Sequence, residues 1–292
     1  MAYQFNKPKS TNKPIHIVFT SLIALLAIVV LCGWLVLSYL TDRPTEQPEE
    51  TETTSTTSDE VTLDVATCLV ILDMNDSKQF LLVHTNPQAE SIIVAAVPAQ
   101  LDTGSGDTLS ELLARSGPTK VMQTVAERLE LPLSHYISLS HSGVNKFANE
   151  LENGITVKLP ETVKYTDENG ITSTISAGTS TLTAGDTTAV LSHNKWKKKQ
   201  YSALMATRIT AAMFNSYLTP EYSVRGYFGA LSNVATTDLR IDNFVAYKSA
   251  LTHLAEANTG EIASIVELDG QYEKGRFYPN IDSCRRNSGL YH

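Results

Sequence analysis

Lys195, Lys197, Lys198 and Lys199 stand together, interrupted by Trp196. Such a cluster is either an anion site or a solvated loop. Lysine offers a phosphate a point charge and lacks the bidentate fork of arginine. Arg208 follows. With Tyr201, Leu204, Met205 and Ala212 it falls on the apolar stripe of a predicted helix. A guanidinium there is either a ligand group or one that finds a partner or an exit to water at the helix edge. Asp73 ends an apolar run, where a carboxylate either holds a metal or caps a turn. His135 and His141 flank a short strand candidate and read as structural; no histidines show metal-ligand spacing. Gly104-Ser105-Gly106 reads as a turn, because a phosphate loop would continue into Gly-Lys-Ser.

These residues need elements to hold them, and the chain begins with one of a special kind. Residues 17–40 contain no charge. As a helix they rise ~36 Å at ~1.5 Å per residue, enough for a bilayer core of about 30 Å. Trp34 and Tyr39 lie near one end as interfacial anchors. Lys7, Lys9 and Lys13 precede the run, while Asp42, Glu46, Glu49 and Glu50 follow it. Basic flanks stay in the cytoplasm, so residues 1–16 are expected inside and the rest of the chain outside. A cleaved signal peptide would have a shorter apolar region and a small-x-small site, which is absent here.

Residues 41–65 are rich in Thr, Glu and Pro and have little to bury, so they read as a disordered spacer. Residues 66–292 are long enough for one domain with a sizeable core. The net charge of −8 argues against a nucleic-acid partner. Cys68 and Cys284 lie at the two ends of this domain and either pair or stay free.

Within the domain, residues 68–74, 80–85 and 91–97 are short apolar, β-branched runs and predict strands. After Gly117-Pro118 the spacing of Val121, Met122, Val125 and Leu129 predicts a helix that closes at Pro132. Residues 136–139 and 154–159 predict strands, with a helix over 142–151 between them. Asn169-Gly170 predicts a hairpin with a type I′ turn. Helices are predicted over 201–218 and 242–257, and a last strand over 262–268. The interleaving gives an α/β fold, a central mixed sheet flanked by helices.

The local sequence resembles the LytR-CpsA-Psr family. Leu82-Val83-His84-Thr85-Asn86-Pro87 is similar to its strand ending in Asn-Pro. Residues 94–103 resemble its strand ending in Pro-Arg-Asp-Thr, and residues 154–160 its Gly-Val-x-Val-x-Val-Pro. Residues 182–190 resemble its Leu-x-Gly-x-x-Ala-Leu, and residues 265–279 its closing segment. The resemblance covers about residues 66–279. It implies an apolar pocket between sheet and helices that takes the tail of a polyprenyl-pyrophosphate carrier. It also implies a role outside a Gram-positive membrane, moving a glycopolymer such as teichoic acid onto peptidoglycan. Arginines would grip the pyrophosphate and aspartates a Mg²⁺ ion, with rate coming from positioning and charge neutralisation.

The charged positions depart from the family pattern. Asp76-Ser77-Lys78-Gln79 stands where Arg-Ser-Asp-Thr is expected. Pro98-Ala99-Gln100-Leu101 stands where Pro-Arg-Asp-Thr is expected, with Asp102-Thr103 displaced. Leu191-Ser192-His193 occupies its Tyr-x-Arg. Arg208 matches the last arginine of its Arg-x-x-Arg-Gln, with Met205 and Ile209 at the other two positions. The candidate pyrophosphate contacts are therefore Arg208, His193, Lys195, Lys197 and Lys199, and the candidate Mg²⁺ ligands are Asp73 and Asp102. Three readings follow. The first is a binder of polyprenyl-linked glycopolymer or peptidoglycan, working beside a catalytic family member. The second is an active Mg²⁺-dependent phosphotransferase. The third is a membrane scaffold with a closed pocket.

Overall fold

The computed structural model describes residues 64–291, apart from 76, 168 and 221–223. The predicted tail, membrane span and nearly all of the spacer lie outside the described residues, as does Asp76. Among the described residues no helix is long and apolar enough to cross a membrane.

Strands β1 (Ala66–Asp73), β2 (Lys78–Asn86) and β3 (Ser91–Val97) form an antiparallel meander. Each is apolar on both faces, which is the pattern of a strand covered from two sides. β4 (His135–Ser140) adds in parallel beside β1, and β10 (Ala263–Glu267) in parallel beside β3. β9 (Ala235–Thr237) closes the far edge, giving a mixed six-stranded sheet in the order β10-β3-β2-β1-β4-β9. β1, β3, β4 and β10 run one way, so their carboxyl ends share one edge. Ligands of open α/β sheets bind outside such an edge.

Alternation along the strands divides the core in two. Leu69, Ile71, Phe80, Leu82, Ala95 and Val97 face helix α1 (Leu109–Leu129). Thr108 and Glu111 cap α1 reciprocally, and it bends at Gly117, whose φ of 76° is left-handed. The helix therefore begins before Gly117-Pro118. Leu109, Leu112 and Leu113 already carry its buried stripe, and a proline is tolerated where the backbone turns anyway. The opposite sheet face meets α2 (His141–Asn149), α3 (Ala184–Ser192), α4 (Gln200–Tyr217), α5 (Val224–Val234) and α6 (Ile241–Ala257). Helix α4 buries Met205, Ala206, Ile209 and Ala211. At its end, Asn258 Nδ2 donates to the carbonyls of Phe214, Asn215 and Leu218, adding a side-chain cap where intrahelical partners run out.

Smaller pieces surround this frame. β5 (Ile155–Leu159) pairs with β8 (Gly178–Leu182), and β6 (Val163–Thr166) with β7 (Thr172–Ile175). The β6–β7 turn is not type I′. Asp167 N and Ile171 O close a three-residue loop in which Gly170 alone of the Asn-Gly pair is left-handed. Asp167 Oδ1 takes the amides of Asn169 and Ile171, and this Asx bonding selects the wider loop. β11 (Gly270–Glu273) and β12 (Arg276–Pro279) form a hairpin ahead of α7 (Ile281–Asn287). Cys68 and Cys284 are both free.

Candidate functional site

Every second residue of β1 (Ala66, Cys68, Val70, Leu72) opens onto an apolar cavity of about 290 Å³. Helices α2, α3, α4, α5 and α6 supply its other walls, among them Phe147, Leu191, Met213, Leu231 and Tyr247. From Ala66 to Leu72 the wall extends roughly 20 Å at ~3.3 Å per residue. Polar groups in the wall are few. Burial, followed by the nearby Asp238 charge, pushes the Cys68 thiol up to about 11. It is therefore protonated and behaves as a small apolar side chain. The buried Thr187 hydroxyl, on α3, has no partner among the described residues.

The Leu72 end of this cavity meets the sheet edge where the strands' carboxyl ends collect. There Asp73, Asn75, Ser140 and His141 line an open polar hollow. Asp73 forms an ion pair with Lys78, its partner on the last rung of the β1–β2 ladder. Gln79, next on β2, donates from Nε2 to Ser202 Oγ of α4 at 2.6 Å. Ser77 Oγ donates to the Leu191 carbonyl at 2.9 Å. These bonds bring the loop between α3 and α4, which holds His193 and the lysines, to the same edge.

The loop meets a counter-charge from the segment after β5. Glu161 Oε1 accepts the Lys197 amide at 2.9 Å, and its Oε2 lies 3.8 Å from Lys197 Nζ. The Lys197 ammonium is otherwise exposed. Trp196 is buried beneath, edge-on to both His193 and Tyr201. Lys198 Nζ lies 5.8 Å from the centre of the Tyr201 ring. Desolvation pulls the His193 pKa below its ordinary value, with Lys195 pulling the same way and Glu161 opposing. The imidazole is thus neutral at neutral pH.

The structure gathers His193, Lys195, Lys197 and Lys199 on one loop, and Arg208 stands on the helix that follows it. Arg208 lies two turns into α4, and its Nη1 donates to the Lys158 carbonyl of β5 at 2.7 Å. Its position at the margin of the apolar stripe supplied the partner that its charge requires. Asp102 stands on the loop after β3, with Arg128 Nη2 of α1 at 4.0 Å. Arg115 pairs with Asp107, and Arg276 donates to the Gly106 carbonyl, so this loop is held by arginines. Two residues of the site were missed as a pair and as a hollow. Lys78 is visible in sequence only as a departure from a motif, and His141 joins the hollow because α2 begins there.

The family's magnesium can be tested on this donor set. Such an ion needs oxygen ligands in near-octahedral array, usually from one or two carboxylates plus phosphate and water. Asp73 is paired with an ammonium and Asp102 faces a guanidinium. Among the described residues no group of three or more His, Cys, Asp or Glu could hold a metal. The described residues do not fit a divalent ion.

The model of the LytR_cpsA_psr family matches residues 81–286. The chain belongs to the LytR_cpsA_psr family. Solved structures agree with this. A putative transcription regulator from Eubacterium siraeum superposes with a TM-score of 0.67 at 15% identity, covering 82% of this chain and 97% of that one. TagV of B. subtilis gives 0.61 at 14%, covering 77% and 94%. TagT bound to LI-WTA gives 0.56 at 14%, covering 83% and 95%. At such identities the likeness is one of fold. Comparison with curated proteins finds no match.

Proposed function

We propose that this protein binds a polyprenyl-pyrophosphate-linked glycopolymer, such as a teichoic acid, outside the membrane during its attachment to peptidoglycan. The observation that carries the reading is the apolar cavity along β1, which lies beside a polar hollow at the sheet edge; Lys78 pairs with the hollow's Asp73, and Ser77 and Gln79 tie the ends of the lysine-bearing loop to the same edge. An elongated slot suits a hydrocarbon tail, and the cation-bearing edge suits the charged head. TagT, a member of the same fold group, was solved with LI-WTA, a wall teichoic acid ligand. The anchor predicted over residues 17–40 would hold the domain at the outer leaflet, where such carriers present their head groups.

His193, Lys195, Lys197 and Lys199 would contact the pyrophosphate from the α3–α4 loop. Their role is charge neutralisation, which is the main requirement in holding a polyphosphate. The paired state of Asp73 and Asp102 favours binding over metal-dependent transfer, and a catalytic family member would then complete the reaction. The open cavity weighs against a scaffold with a closed pocket.

The test is to purify the full chain from its native membrane and identify bound lipid by mass spectrometry. A polyprenyl phosphate or pyrophosphate species is expected, and Val70→Trp, which fills the slot from its floor, should lose it. Recovery of no lipid, or of equal amounts with both proteins, would refute the reading. A protease added to intact cells should cut the domain.

A further inference from the structure

Lys78 and Asp73 occupy facing positions on the last rung of the β1–β2 ladder. Directly opposed residues of an antiparallel pair hold their Cβ atoms ~4.5–5.5 Å apart, so the backbone fixes this ion pair. The two side chains are half-buried, at 28% and 41% exposure. Among the described residues, Asp73 is also the only acid lining the polar hollow, which it shares with Asn75, Ser140 and His141. The second candidate acid, Asp102, has Arg128 for company.

We propose that the Lys78 ammonium stands in for a divalent cation at Asp73, making the site a metal-independent binder of pyrophosphate. The inference rests on the reading in the preceding subsection and names how that site is charged. One ammonium on one carboxylate leaves the same net charge as one divalent ion on two carboxylates. The substitution therefore preserves the electrostatic balance of the edge while removing the need for metal. An ammonium offers three donors and no ligand-field demand, so it can serve Asp73 and an anion together. It also repels any cation that approaches Asp73.

Full-length protein in detergent is titrated with Mn²⁺ alone, and free Mn²⁺ is followed by electron paramagnetic resonance. Wild type should leave the signal unchanged to on the order of 1 mM, the weak end of protein sites for hard cations. Lys78→Asp sets two carboxylates across the rung and should withdraw Mn²⁺ from solution. Should that variant melt early, Lys78→Ser, which adds no like charge, should bind Mn²⁺ more weakly but measurably. In a second arm, geranylgeranyl pyrophosphate binding is measured with EDTA and with Mg²⁺. Wild-type affinity should be the same in both, and Lys78→Asp should bind only with Mg²⁺. Mn²⁺ binding by wild type, or an affinity raised about tenfold or more by Mg²⁺, overturns the proposal. So does failure of both variants to gain Mn²⁺. If wild type binds no pyrophosphate in either buffer, the lipid-carrier reading falls, and the manganese arm still decides whether Lys78 is what excludes the metal.

Discussion

Arg208 ties helix α4 to strand β5, its Nη1 donating to the Lys158 carbonyl at 2.7 Å. A guanidinium on a helix that lines the apolar cavity here secures the wall through a backbone carbonyl. Arg208→Ala should lower stability by roughly 1 kcal/mol, the usual net worth of a partly exposed hydrogen bond. For a domain of this size that is about 2–4 °C in melting temperature. Affinity for geranylgeranyl pyrophosphate should change less than it does on Lys195→Ala/Lys199→Ala. Calorimetry and a lipid-binding titration check both halves. A large affinity loss with an unchanged melting temperature would move Arg208 into the anion site.

Cys68 reports on the cavity directly. Its thiol is raised to about 11, first by burial, and only the thiolate reacts. In a Cys32→Ser/Cys284→Ser background, alkylation by iodoacetamide should be slow at pH 7.5. The rate should rise about tenfold per pH unit through pH 9.5, because the thiolate fraction does so well below the pKa. Bound geranylgeranyl pyrophosphate should suppress it at every pH. Rapid labelling at neutral pH, or no protection by lipid, would contradict the assignment of Cys68 to an enclosed lipid wall.

His193 should respond to acid. Its folded pKa lies below the unfolded value near 6.5, chiefly through desolvation. The unfolded chain therefore takes up the proton first, and the neutral ring stabilises the fold above about pH 6.5. That contribution falls as pH drops through the folded pKa. Relative to wild type, His193→Gln should flatten the acid side of a plot of melting temperature against pH. An anion bound nearby favours the protonated ring, so pyrophosphate binding should tighten on acidification and absorb protons. Imidazole NMR titrations with and without inorganic pyrophosphate would show the midpoint moving upward.

The β1–β3 meander was readable because each strand is a short apolar run bounded by turn residues, and α4 because its stripe is long. The first half of α1 was hidden by Gly117-Pro118, whose local signal as a breaker outweighs Leu109, Leu112 and Leu113. β9, β11 and β12 are too short and too exposed to leave a pattern. At the site, the lysine loop was visible as a cluster of like charges. Its counter-ion was not, because Glu161 comes from a segment remote in sequence and meets Lys197 only after β5 and α3 have packed. The Asp73–Lys78 pair has a local signal, since a tight β1–β2 connection places both on one rung. Reading it needed the strand register, which sequence leaves loose by a residue or two.

Glu161 supplies the last test, because it does two things at once in the lysine loop. Its Oε1 fixes the backbone by accepting the Lys197 amide at 2.9 Å, and its charge offsets the ammonium groups that an anion would seek. Glutamine can keep the first role through its carbonyl oxygen and gives up the second. Glu161→Gln should therefore not lower the melting temperature, because the Lys197 ammonium is exposed and holds the pair weakly, while the largely buried carboxylate no longer brings its charge into the protein. Affinity for inorganic pyrophosphate should rise severalfold, with a steeper salt dependence, as expected when one opposing charge leaves a partly solvated site. Glu161→Ala removes both roles and should loosen the loop as well, lowering affinity relative to Glu161→Gln. Calorimetric titrations of the three proteins at low and moderate salt separate the charge effect from the anchoring effect. If Glu161→Gln weakens binding as much as Glu161→Ala does, the carboxylate itself takes part in recognition, as a hydrogen-bond acceptor for the ligand and not as a counter-ion to the lysines.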